Sequence, residues 1–104
     1  TEPTRAGPRH AERGDNAGVR VLLPRALVDL FPGSVGELRL DAGTVEELIY
    51  ALDARWPGMR DRLVDSTPAI RRHLNVFVDG ERAKLDTALA AGATVYILTA
   101  MSGG

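Results

Sequence analysis

Cysteine is absent from this 104-residue chain, and lysine occurs once, at Lys84. The absence of cysteine excludes disulfides, thiolate metal sites and a cysteine nucleophile. The chain also lacks any large basic block, because its 13 basic residues are offset by 14 acidic ones. With a formal net charge of −1, the composition gives no electrostatic reason to expect nucleic acid as a partner.

Long apolar runs are also missing. No stretch approaches the roughly 20 apolar residues that a membrane-spanning helix needs, and the first residues lack the apolar core of a signal peptide. We therefore expect no membrane association and a cytoplasmic protein. A chain of this length is enough for one small domain.

The composition changes along the chain. Residues 1–18 contain three glycines, two prolines and scattered charge but almost no large apolar side chain, so they cannot offset the entropy lost on ordering. We expect 1–18 to be a disordered leader, 19–98 to be the folded domain and 99–104 to be a flexible tail.

The clearest helix begins after Thr44. Thr44 and Glu47 have the spacing of a capping box, and apolar residues then follow helical spacing as far as Trp56, which we expect to pack in the core. Pro57-Gly58 ends the helix, and one more helical turn is expected at 59–64.

Alternating apolar and polar residues predict strands. The expected strands are 19–23, 35–40, 73–78, 94–98 and a short return strand at 81–84, which follows the hairpin turn Asp79-Gly80. Of the connecting segments, 25–31 is expected to be an ordered loop and 85–91 a short turn of helix. This order predicts an α+β fold in which a mixed four- to five-stranded sheet packs on one main helix, the β-grasp or ubiquitin-like architecture.

The sequence ends on Gly103-Gly104, after a strand-like run. Glycine has no Cβ and therefore fits where a wall lies close to the backbone. The segment from Thr99 to Gly104 has an extended reach of roughly 20 Å. Such a tail can enter a narrow slot and bring its terminal carboxylate to a reactive centre.

Four stretches of this sequence resemble a known family. They are VRVLLPRAL from Val19, GTVEELIYALDARWPGMRDRLVD from Gly43, HLNVFVDGE from His73 and LAAGATVYILTAMSGG from Leu89. Together they make residues 19–104 similar to the MoaD/ThiS family of ubiquitin-like sulfur carrier proteins, and within it to the CysO-type carriers of cysteine biosynthesis.

The resemblance implies chemistry at the carboxylate of Gly104. In this family an E1-like activating enzyme uses ATP to adenylate the terminal carboxylate, and sulfur then replaces the adenylate to give a thiocarboxylate. Gly103, Ser102 and Met101 are then expected to lie in the partner's active site. The carrier itself is expected to have no catalytic residue, no metal and no bound cofactor, since its partners supply the catalytic groups.

The recipient of the sulfur stays open at this point. A cysteine synthase-like enzyme is favoured; the alternatives are molybdopterin synthase, with this chain as its small subunit, and thiazole or secondary-metabolite sulfur insertion. From another class, the chain could be a non-covalent ubiquitin-like interaction module with an incidental Gly-Gly. An independent enzyme is disfavoured because no convincing acid/base pair is found.

The alternation of residues along the strands also predicts which side chains point away from the core. The face that covers the helix receives Val19, Val21, Leu23, Leu74, Val76 and Val78. The opposite face receives Leu22, Phe77 and Tyr96, unless the last strand is shifted by one residue. An apolar patch commonly marks an interaction site, so these three residues are expected to dock the activating enzyme. Alternatively, the 25–31 segment or the leader covers them as a second small core.

Overall fold

The first and last strands of the fold lie side by side in the middle of one sheet. A computed structural model describes residues 18–99, in which β1 (Val19–Leu22) pairs in parallel with β5 (Thr94–Thr99). The order across the five-stranded sheet is β2-β1-β5-β3-β4, so β5 is the central strand. The predicted α+β fold with a mixed, β-grasp sheet is confirmed.

The outer strands complete the sheet in antiparallel fashion. Strand β2 (Glu37–Leu40) pairs with β1, and β3 (Leu74–Val78) pairs with β5. Strand β4 (Glu81–Arg82) returns along β3 after the predicted Asp79-Gly80 turn. Both turn residues have positive φ, 50° and 90°, which a two-residue hairpin of this type requires.

One long helix covers a single face of this sheet. It is preceded by a short helix, α1 (Arg25–Leu30), and spans Val45–Arg55 as α2. Its cap is close to the predicted capping box: Thr44 Oγ1 accepts a hydrogen bond from the Glu47 backbone N–H at 3.1 Å. The Glu47 carboxylate, however, accepts from the Gly43 N–H at 2.7 Å and not from Thr44. The cap therefore satisfies one orphan donor of the helix, the Glu47 N–H, and ties the preceding Gly43 N–H to the first turn.

The core lies between α2 and the sheet. The apolar stripe of the helix is fully covered, and Trp56 packs partly buried against the same cluster, as predicted. The extra turn expected after Pro57-Gly58 is helix α3 (Met59–Leu63), which buries Met59 and Leu63. The side chains below 2% exposure are Val19, Val21, Val45, Leu48, Ile49, Leu52, Met59, Leu63, Val76, Val95 and Ile97.

The segment expected to be a loop at 25–31 is instead helix α1, so that prediction was wrong. The carbonyl of Pro24 accepts hydrogen bonds from the N–H groups of Leu27 and Val28 at 3.0 and 3.1 Å. Leu27 is buried in the main core. Pro32-Gly33 ends the element after one and a half turns and does not prevent it, because a proline beyond the last turn removes no bond within the helix.

The short helix expected at 85–91 is also absent from the described chain. This segment has a turn at Leu85-Asp86 and an isolated bridge between Ala88 and Thr44. It crosses the start of α2, where the carbonyls of Leu85 and Thr87 accept from Glu46 N–H and Val45 N–H at 2.9 and 3.0 Å. The first turn of a helix leaves its N–H groups without partners. The segment provides acceptors for two of these N–H groups. Its own carbonyls are then bonded to α2 and are not available for a helix of its own.

Smaller differences concern element ends. The second strand begins at Glu37, two residues later than predicted, and Val35 is 45% exposed. Strand β5 continues to Thr99, one residue into the expected tail. The expected leader up to Ala17, and the tail from Ala100, lie outside the described residues.

Candidate functional site

The tail that ends at Gly104 starts from the central strand of the sheet. Strand β5 pairs with β1 on one side and with β3 on the other, and its last residue, Thr99, is paired with Leu74. A strand bonded on both sides is held at a defined position. The expected reactive residue Gly104, and with it Gly103, Ser102 and Met101, lies outside the described residues.

The beginning of β5 is also held. Asp79 and Thr94 exchange two hydrogen bonds, from Asp79 N–H to the Thr94 carbonyl at 2.9 Å and from Thr94 N–H to Asp79 Oδ1 at 3.0 Å. Arg20 N–H donates to the carbonyl of Ala93 at 2.9 Å. The hairpin turn therefore fixes the strand that carries the tail.

Leu22, Tyr96 and Phe77 form a row across the three inner strands, which we call the apolar row. Tyr96 is the direct partner of Leu22 on β1 and of Phe77 on β3. Since neighbouring strands lie about 4.8 Å apart, the row spans roughly 10 Å. Tyr96 is 41% exposed, and the two flanking residues are half-buried. The sequence reasoning placed these three residues on one face, and the structure brings them together there.

The strand register that this placement requires is confirmed. Val95 and Ile97, the neighbours of Tyr96, are 0% and 1% exposed on the helix side of the sheet. Helix α1 sends Leu27 into the main core and leaves Tyr96 exposed. The 25–31 segment therefore does not bury Tyr96 in a second core.

Leu98 is a member of this surface that the sequence reasoning missed. It is 44% exposed and follows Tyr96 by two residues on the same strand. Period-two alternation puts residues i and i+2 on one face, so the signal was present in the predicted strand 94–98. Leu98 extends the apolar row toward the end of β5, where the tail begins.

Polar residues border the apolar row. On the β1–β2 side, Arg20 Nε lies 2.6 Å from Glu37 Oε2. That hydrogen bond holds the pKa of the Glu37 carboxyl below its ordinary value. On the β4 side, the Arg82 guanidinium donates to Asn75 Oδ1. An apolar centre with a polar rim is the usual composition of a protein–protein interface.

Between Gly18 and Thr99, no group of three acidic or histidine side chains could hold a metal ion, and no polar or charged residue is buried. The same range has no helix long and apolar enough to cross a membrane.

Comparison with known proteins gives the class and then the family. The fold is that of ubiquitin-like proteins, and the ThiS family model matches residues 21–104. The chain belongs to the ThiS family, and so to the ubiquitin-like sulfur carriers. This confirms the resemblance seen in the sequence.

Several solved structures are similar to the chain over most of its length. A BexX/CysO complex from Amycolatopsis orientalis matches with 30% identity and a TM-score of 0.74, over 83% of this chain and 99% of that one. CysO from Mycobacterium tuberculosis matches with 29% identity and a TM-score of 0.71, over 80% and 99%. The modifier protein SAMP1 from Haloferax volcanii has 29% identity and a TM-score of 0.69, over 84% and 99%. No curated protein matches the chain.

Proposed function

We propose that this protein carries sulfur as a thiocarboxylate on Gly104 and donates it to a biosynthetic enzyme. The observation that carries the proposal is the position of β5: the strand leading to Gly103-Gly104 is the central strand of the sheet. The family match also extends to Gly104. The protein acts as a donor and not as an enzyme, which agrees with a described surface suited to partners.

The chemistry has two steps, and both use groups of the partner enzymes. First, the Gly104 carboxylate attacks the α-phosphate of ATP; a carboxyl–AMP bond forms and pyrophosphate leaves. Second, hydrosulfide supplied by the activating system attacks the acyl carbon; a carbon–sulfur bond forms, the carbon–oxygen bond to AMP breaks, and loss of the S–H proton leaves the thiocarboxylate. The carrier needs no cysteine for this, because the sulfur is held on its terminal carbonyl. Because the activating enzyme uses ATP, the cytoplasm is the favoured location of the carrier.

The apolar row serves to dock the E1-like activating enzyme. It lies on the same strand as the root of the tail, with Tyr96 three residues before Thr99. Ala100–Gly104 adds an extended reach of roughly 17 Å. A partner that grips Leu22, Tyr96 and Phe77 thus holds Gly104 within a defined radius of its own active site.

We further propose that the recipient belongs to cysteine biosynthesis, with sulfur delivered by a cysteine synthase-like enzyme to an activated serine. The support is the similarity to two proteins named CysO. The other recipients are molybdopterin synthase and thiazole-forming or secondary-metabolite enzymes, and they are distinguished by which acceptor takes the sulfur.

Intact mass spectrometry tests the carrier function. The full chain, incubated with an E1-like activating enzyme, ATP and a sulfur source, is expected to gain the mass of one oxygen-to-sulfur exchange. The variant lacking Gly104 should keep its melting temperature and lose both this mass change and ATP–pyrophosphate exchange. Undiminished exchange by the deletion variant would overturn the role of Gly104. A wild-type chain that binds a partner without any mass change would favour the non-covalent module.

The recipient is tested with the thiocarboxylated chain. Incubation with a cysteine synthase-like enzyme and an activated serine should consume the thiocarboxylate and attach cysteine to the carrier. Consumption only with a molybdopterin precursor, or only with a thiazole-forming enzyme, would contradict the assignment to cysteine biosynthesis while leaving the carrier function intact.

A further inference from the structure

A groove of about 590 Å³ lies at the β4 edge of the sheet. Its apolar lining includes Leu74, Val76, Ala83 and Leu85. Leu74 and Val76 are buried residues of β3 that face the helix side of the sheet. None of Leu22, Phe77 and Tyr96 lines the groove, although Asn75 and Arg82, which border the apolar row, also line it. We call it the edge groove.

The sheet is incomplete along this groove. Strand β4 has two residues, which pair with Phe77 and Val78, and Ala83 N–H adds one bond to the Val76 carbonyl at 2.8 Å. Among the strands described, none pairs with Leu74 or Asn75 on this side, although the Leu74 N–H already donates to the Arg71 carbonyl at 2.9 Å. An edge of this kind is where an extended peptide adds to a sheet, with its alternate side chains received by pockets.

The charges around the edge groove have a net positive sign. Arg71, Arg72, Arg82 and Lys84 line it, against the two carboxylates of Glu46 and Asp86. Arg71 and Arg82 are already engaged, since Arg71 Nε donates to the Asp61 carbonyl at 2.8 Å and Arg82 donates to Asn75. Arg72 and Lys84 are exposed at its rim, and Lys84 is the only lysine of the chain.

We propose that the edge groove binds an extended acidic segment of a partner protein. Apolar side chains of the segment lie on Ile70 and Leu85, which are partly exposed in the groove, while its carboxylates meet Arg72 and Lys84. The proposal builds on the proposed carrier function, because a partner held here leaves the apolar row free. Two proteins can then hold the carrier at once, one at the edge groove and one on the apolar row.

An NMR titration of the isotope-labelled full chain tests the groove. The probe is the capped hexapeptide Glu-Asp-Val-Asp-Leu-Glu, with its Gln-Asn-Val-Asn-Leu-Gln analogue as the uncharged comparison. The acidic peptide is expected to shift amides in 69–76 and 82–86 and to bind more tightly than the analogue. The double variant Arg72→Glu, Lys84→Glu should weaken binding at least about tenfold. Arg55→Glu, an exposed charge reversal at the far end of α2, should bind like the wild type.

Three results would overturn the proposal: no shifts at millimolar peptide, equal binding by the double variant, or shifts centred on Leu22, Tyr96 and Phe77. The amide spectrum of each variant shows whether it is folded. The carrier function is measured separately on the same proteins, and the double variant should still gain the sulfur mass change. Failure of the wild type to gain it would contradict the carrier function alone, because the peptide titration does not depend on Gly104.

Discussion

At the scale of single residues, Tyr96 offers the sharpest separation of binding from stability. It is 41% exposed at the centre of the apolar row and is not part of the main core cluster, so Tyr96→Ser opens no cavity in the main core. We expect binding to the activating enzyme to weaken about tenfold or more, as is common for a central interface tyrosine, with little change in melting temperature. Titration calorimetry and thermal unfolding measure the two effects.

Tyr50 is a matched control for this substitution. It is 51% exposed on α2, and the Arg60 guanidinium carbon lies 4.7 Å from its ring centroid. Tyr50→Ser should cost about 0.5–1 kcal/mol of stability through that cation–π contact and leave partner binding unchanged. A Tyr96→Ser protein with a large loss of melting temperature and normal binding would show that Tyr96 is a packing residue.

At the same scale, substitutions at Gly103 test whether the tail must enter a narrow channel of the activating enzyme. A stiff, β-branched side chain next to the reacting carboxylate should hinder entry into a narrow channel. We expect Gly103→Val to slow adenylation strongly and Gly103→Ala to slow it less, with the same melting temperature for both. ATP–pyrophosphate exchange gives the rates, and equal rates for the three proteins would mean that the partner's slot is wide.

At the scale of elements, the β3–β4 hairpin needs glycine at position 80 for its backbone conformation and not because the surroundings are crowded. A Cβ at Gly80 would meet nothing within 4 Å, yet φ is +90°. We expect Gly80→Ala to destabilise the protein by about 1 kcal/mol. At Gly36 φ is not in the left-handed region, and a Cβ would meet only the Leu23 carbonyl oxygen at 4.0 Å.

Gly36→Ala is therefore the control for the hairpin variant. It should be neutral or stabilising by about 0.4–1 kcal/mol, because alanine restricts the unfolded chain more than glycine does. Urea unfolding gives both free energies. Equal effects of the two substitutions would show that the positive φ at Gly80 carries no strain for alanine.

At the scale of the whole molecule, stability should fall at acid pH. The Asp65 carboxylate accepts hydrogen bonds from the Thr67 hydroxyl and from the N–H groups of Thr67 and Ala69, which hold its pKa below the ordinary value of an aspartate. The bond from Arg20 likewise holds the pKa of Glu37 below the ordinary value of a glutamate. Groups with lowered pKa values stabilise the fold above their unfolded pKa, and this contribution is lost as pH falls through the folded pKa.

The melting temperature is therefore expected to be steady near neutral pH and to drop below about pH 4. Asp65→Asn removes one of the two titrations, so its melting temperature should lie below that of the wild type at pH 7 and approach it in acid. Both carboxylates are exposed, so the difference is small, as for other exposed pairs. A difference that is constant from pH 7 to pH 2 would contradict the assignment to Asp65.

Local chemistry in the sequence was enough to predict much of the fold and part of the site. Several features depend only on residues a few positions apart in the sequence. They are the strands, the Thr44 cap, the Asp79-Gly80 turn and the face of the sheet on which Tyr96 lies. Such short-range patterns can be recognised from the sequence alone. The shared face of Leu22, Tyr96 and Phe77 followed from them, and Leu98 would have followed by the same rule.

Only the tertiary structure decided the rest. Helix α1 forms because Leu27 has a place in the distant core, and 85–91 forms no helix because its carbonyls accept hydrogen bonds from the start of α2. The central position of β5, and the edge groove beside Leu74, depend on which strands pair across the whole chain. Local propensity is worth tenths of a kcal/mol per residue, whereas burial and backbone pairing with distant residues are worth more. Distant partners therefore determined these elements.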